Sequence, residues 1–126
     1  MPKLALLVAA IALAATPVAA AAAEQDWTHI ASAEGEWDVA YDPARLVRSG
    51  RTVKVWLRRT LVESVDGVSY YLSQAEFDCA RSTARILYTA AYDAAGSILT
   101  TDPEPVPAEP IPPGSFFESI EDRVCR

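Results

Sequence analysis

Histidine and cysteine are scarce here: His29 is the only histidine among 126 residues, and Cys79 and Cys125 are the only cysteines. A closed zinc site takes four ligands and a haem needs a placed axial donor, so no ligand spacing supports a metal or a cofactor. The five glycines form no phosphate-cradling loop, and no serine stands in a nucleophile-elbow context. His29 is left as a lone general base with no placed partner, which is more often a structural histidine. The carboxylate pairs Glu34/Glu36 and Glu121/Asp122 read as solvated charge. The reading is therefore that the protein is not an enzyme. Basic residues are also few, 11 against 17 acidic ones for a formal charge of −6. General nucleic-acid binding draws its affinity from phosphate neutralisation by lysine and arginine, and this balance argues against it.

Long apolar runs are confined to the N-terminus. There a basic start at Lys3 precedes an apolar stretch from Leu4 to about Ala15 and a small-residue run ending in Ala21-Ala22-Ala23. That is the plan of a secretory signal peptide, residues 1–23, with a mature chain starting near Glu24. The competing reading, a retained membrane helix, needs about 20 apolar residues, more than this core holds. No cysteine stands directly after the apolar core, the two present being Cys79 and Cys125, so no lipid anchor on an N-terminal cysteine is expected, and no transmembrane segment is expected after signal cleavage. Lys3 is the only charged residue of the segment, so its removal moves the formal charge from −6 to −7. Residues 24–126 are then enough for one domain with one core.

Along that domain, apolar and polar residues alternate with period two, the mark of half-buried strands. Trp27–Ser32 is the first candidate. In the next, Trp37, Val39 and Tyr41 share a face. Asp42-Pro43 is a turn-forming pair expected to start a single helical turn before the chain extends again towards a hairpin at Gly50. The stretches beginning at Thr52, Tyr70 and Arg85 follow as strands, with Asp66-Gly67 and Ala80–Thr83 as turns, and Ser97–Thr101 closes the series. About six strands with short connections predict an antiparallel meander.

From Asp102 the composition changes, because six of the nine prolines fall between Pro103 and Pro113. Proline cannot donate to a strand ladder, so 103–113 reads as an extended connector, with a polyproline ligand as the sharper alternative. Ser115 and Glu118 then form the S-x-x-E arrangement that opens a helix, 115–125, on which Phe117, Ile120 and Val124 share a face and Phe116 adds to it. So short a helix holds only by docking. Tyr71, Ala75, Phe77 and Cys79 form the apolar face of their strand, where this helix would dock. In an exported chain Cys79 and Cys125 can oxidise, closing a loop of about 45 residues at a gain of roughly 4 kcal/mol. Two free thiols are the alternative. The fold expected is α+β, an antiparallel sheet with the C-terminal helix docked on one face and tethered by the disulfide.

The stretches "DWTHIA", "AYDPARLVRSGRTVKVW", "YYLSQAEFDCARSTARIL" and "PPGSFFESIEDRVC" resemble the surface-adhesin protein E-like domain of proteobacteria. The resemblance runs from about Trp27 to Cys125 and implies an antiparallel sheet with a disulfide-tethered C-terminal helix. The family's namesake is an outer-membrane adhesin for host extracellular-matrix and serum proteins, a role the resemblance implies without placing any binding residue on this chain.

Arg45, Arg48, Arg51, Lys54, Arg58 and Arg59 gather most of the positive charge of an acidic chain. Alternation puts Lys54, Trp56 and Arg58 together, opposite Val53, Val55 and Leu57. These three are the candidate partner-binding residues, for an anionic or aromatic protein partner or for a homodimer through the sheet. The plainer expectation is that Lys54 and Arg58 cover the indole with their alkyl stems and pair across strands with Glu76 and Asp78. The sequence thus predicts an exported, non-enzymatic protein-binding domain acting in the envelope, in the periplasm, with a surface or secreted adhesin for host matrix proteins as the alternative and an uncharacterised enzyme or ligand carrier ranked last.

Overall fold

The computed structural model describes residues 26–126. The signal peptide expected at 1–23 lies outside the described residues.

Strands β1 (Thr28–Ala33) and β2 (Trp37–Tyr41) form an antiparallel hairpin, and a 3-10 turn at Pro43–Arg45 leads to β3 (Val47–Ser49). The long β4 (Thr52–Val65) and β5 (Val68–Asp78) follow, then β6 (Thr83–Tyr92), β7 (Ile98–Asp102), β8 (Glu109–Pro110) and the helix α1 (Phe116–Val124). All eight strands belong to one antiparallel sheet, in the order β1-β2-β4-β5-β6-β7. That path contains the six strands expected from alternation.

The two additions share edges with longer neighbours. β3 pairs with β4 over Lys54–Thr52, while β2 pairs with the later part of β4, Leu57–Leu61. The 3-10 turn between them is held by Asp42, whose Oδ1 accepts from the amide of Ala44 at 3.0 Å and whose own amide donates to the Trp56 carbonyl at 3.1 Å. Asp42 is the buried charged residue of the described chain, and its carboxylate has Arg45 at 3.5 Å. β8 pairs with β6 at Thr83 and Ala84, beside the segment of β6 taken by β7. The proline-rich connector is thus fastened to the sheet edge, helped by the Val106 amide donating to Ile86. Proline removes a donor only where it stands, so Glu109 and Val106 between the prolines remain free to pair.

Turn chemistry sets the register. Val65 and Val68 face each other across Asp66-Gly67, and both turn residues have positive φ, 51° and 80°. A two-residue turn of that kind matches the right-handed twist of the flanking strands, and glycine adopts it at no steric cost.

The core lies between the sheet and α1. Val39, Val53, Val55, Leu57, Ala75 and Phe77 supply the sheet side, and Ile120 and Val124 the helix side. Ser115 caps the helix, its hydroxyl accepting from the Glu118 amide at 3.3 Å, as the S-x-x-E spacing predicts. At the other end Arg48 donates to the Val124 carbonyl at 2.6 Å, meeting the negative pole of the helix. The Cys79–Cys125 disulfide joins the end of β5 to the residue capping α1, with a Cα–Cα distance of 5.4 Å. Its 46-residue separation corresponds to about 4 kcal/mol of lost loop entropy in the unfolded chain. The tether stands where a nine-residue helix needs it, since so short a helix is marginal by itself.

Candidate functional site

Because side chains alternate across a strand, filling one face of β4 with core residues sends Lys54, Trp56 and Arg58 to the face that α1 does not cover. Their neighbours on β5 are Glu76, Gln74 and Leu72 respectively, and Gln74 and Leu72 face Tyr88 and Ala90 on β6. The open face therefore carries an aromatic row. Trp56 meets Tyr88 edge to face, with ring centroids 6.0 Å apart, and Tyr70 stacks on Tyr92 at 4.8 Å. Trp27, just before β1, closes one side of a groove of about 420 Å³ lined by Trp56, Leu72, Gln74, Tyr88, Tyr92 and Arg45 as well.

Each of the three residues expected at the site is on this face, half-buried. The local pairing differs from the one expected. The Arg58 guanidinium lies over the Trp27 ring, 4.9 Å from its centroid, rather than over Trp56. Glu76 is taken by Arg85, at 2.9 Å, and Asp78 by Arg51 and Arg81, at 3.6 and 4.0 Å. Among the described residues, no ion pair joins Lys54 or Arg58 to either carboxylate. The reason lies in β6, where one extra residue between Ile86 and Tyr88 forms a bulge. That bulge brings Arg85 to the open face beside Glu76, and its guanidinium occupies the carboxylate that Lys54 faces across the strands. Arg58, opposite Leu72, has only the aromatic ring, and its buried Nε has no hydrogen-bond partner.

Burial raises the Tyr92 phenol above its ordinary value, and the neighbouring Tyr88 and Tyr70 hydroxyls add to the shift. The Tyr92 phenol stays neutral through the physiological range, so it presents a hydroxyl donor rather than a phenolate.

His29 stands apart from this groove's lining, on β1, with its Nε2 3.5 Å from Asp38 at an exposed position. Among the described residues there is no group of three or more histidine, cysteine or acidic side chains placed to hold a metal ion. No helix of the described residues is long and apolar enough to cross a membrane.

Trp27, Leu72, Tyr88 and Tyr92 belong to the groove and were not expected there. Their signal in the sequence is the spacing of Tyr88 and Tyr92, four apart in one strand and hence on one face.

The fold and this face define a single-sheet α+β module, closed on one side by a disulfide-tethered helix and open on the other through an aromatic and cationic groove. The family model for surface-adhesin protein E matches residues 27–126, and the chain belongs to that family. No curated protein and no solved structure matches it.

Proposed function

We propose that the protein is exported and acts as a non-enzymatic binding module of the cell envelope, in the periplasm, holding a protein partner on its open sheet face. Lys54, Trp56 and Arg58 are the contact residues, extended by Trp27 and Tyr88. The observation that carries this reading is the groove with its flank: the rings of Trp27, Trp56, Tyr88 and Tyr92 line it, and Arg58 beside it lies over the Trp27 ring, on one side of an acidic protein. Tryptophan, tyrosine and arginine are the residue types in which binding energy concentrates at interfaces. Positive charge gathered on one face steers an acidic segment towards it.

A second reading, a surface or secreted adhesin for host extracellular-matrix proteins, is favoured by membership of the surface-adhesin protein E family. The two differ in compartment. Crosslinking in intact cells, followed by separation of periplasm from outer surface, compares the native protein with Trp56→Ala. A partner recovered from the periplasm and lost in the variant supports the first reading, and accessibility to external protease favours the second. Recovery of the chain itself as the crosslinked partner would make the open face a homodimer contact. Capture of a partner undiminished by Trp56→Ala would contradict a site on this face.

A further inference from the structure

The helix leaves part of its own side of the sheet uncovered, and a second pocket of about 380 Å³ opens there, separate from the groove on the opposite face. Val39, Leu57 and Ile86 form its apolar floor, and Phe116 and Phe117 in the first turn of α1 form a wall. Its polar groups are few. Ser73 and Thr89 share a hydrogen bond of 3.0 Å across β5 and β6, which uses one of their two hydroxyl hydrogens and leaves the other to donate outwards. Arg59, the residue next to Val39 in the sheet register, places its guanidinium 4.9 Å over the Tyr71 ring. Among the described residues, no carboxylate lies within ion-pair distance of it.

Arg59 is two residues from Leu57, which stands beside Ser73, so their Cα positions are offset by about 7 Å along the strand. Asp102 is paired with Thr89, and its carboxylate accepts from the Glu104 amide at 3.1 Å, so the side of the hydroxyl pair towards β7 is the less favourable one for an anion and the Ser73 side towards Arg59 the more favourable. We propose that this pocket binds a medium-chain amphiphilic carboxylate, with its head between Arg59 and Ser73 and its chain along Leu57, Ile86 and the two phenylalanines. The volume lies near the lower end of the roughly 300–1,000 Å³ usual for small-molecule sites, which limits the chain to medium length. This inference is independent of the open-face reading.

The test is a titration of the purified protein with decanoate below its micelle concentration, followed through side-chain methyl and aromatic-ring shifts, which distinguish the two faces where backbone amides do not. Saturable shifts of the Leu57 and Ile86 methyls and the Phe116 ring are expected, with no change of the Trp56 indole or the Tyr88 ring. Each buried methylene multiplies affinity about fourfold, so octanoate, two methylenes shorter, should bind about fifteenfold more weakly. Arg59→Gln, at an exposed position that leaves the fold intact, should weaken decanoate at least tenfold, and Arg59→Lys should restore most of it. Decanol, with the same chain and no charge, should match decanoate in the Arg59→Gln protein only. The proposal is overturned by non-saturable shifts, by shifts on the open face, or by equal binding of decanol and decanoate to the native protein.

Discussion

The two faces of the sheet are built from alternate residues of the same strands, yet they have different characters. On the covered face Val53, Val55 and Leu57 of β4 meet Ala75 and Phe77 of β5 and Ile120 of α1, and each is at most 4% exposed. On the open face Lys54, Trp56 and Arg58 meet Gln74 and Tyr88, and none is fully buried. Residues 52–58 of β4 therefore contribute to the core through their odd positions and to the aromatic and cationic open face through their even ones. A substitution on one face should act on stability and on the other mainly on binding.

The largest effect belongs to the covered face. Phe77→Ala removes a fully buried ring that packs on Phe117 at 6.0 Å and should cost about 3–5 kcal/mol, read from the midpoint of urea unfolding. A loss under 1 kcal/mol would mean that the helix and sheet are not packed as described. Next comes the tether. Replacing Cys79 and Cys125 together by serine should lower stability by about 2–4 kcal/mol, and hydrogen exchange should quicken first in Phe116–Val124. Uniform loss across β4 and β5 instead would show that the disulfide supports the whole sheet rather than the helix.

Trp56→Ala separates the faces most cleanly. Losing the edge-to-face contact with Tyr88 should cost only about 1 kcal/mol of stability, while partner affinity should fall about thirtyfold. The smallest effect is on Tyr92. Its folded-state pKa is raised above the usual 10.0, so the folded chain holds this proton more tightly than the unfolded one. Its contribution to stability is complete below about pH 10 and is lost as pH rises from there through the raised value. Phenolate absorbance should show a late-titrating component that is lost in Tyr92→Phe.

Much of this division could be read from the chain before its fold was known. Trp37, Val39 and Tyr41, and then Val53, Val55 and Leu57, alternate without interruption, and both runs face the core as their period requires. Ser115 and Glu118 marked the helix start, and the cysteine pairing followed from compartment and docking together. What escaped depends on long-range register. Ile86 and Tyr88 have the same parity in sequence and opposite faces in the sheet, because the bulge between them shifts the phase. The groove was therefore legible on β4 and hidden on β6. The edge pairings of β3 and β8 were also hidden, since strands of three and two residues carry too little alternation to register as a pattern.

The proposed partner meets the open face and not the covered one. A photo-crosslinking residue placed in living cells at Tyr88, and separately at Asp122 on the exposed side of α1, tests this directly. A discrete crosslinked product is expected from position 88 that vanishes when Trp56→Ala is added, and none from position 122. A product from 122 alone, or one from 88 that survives Trp56→Ala, would contradict it.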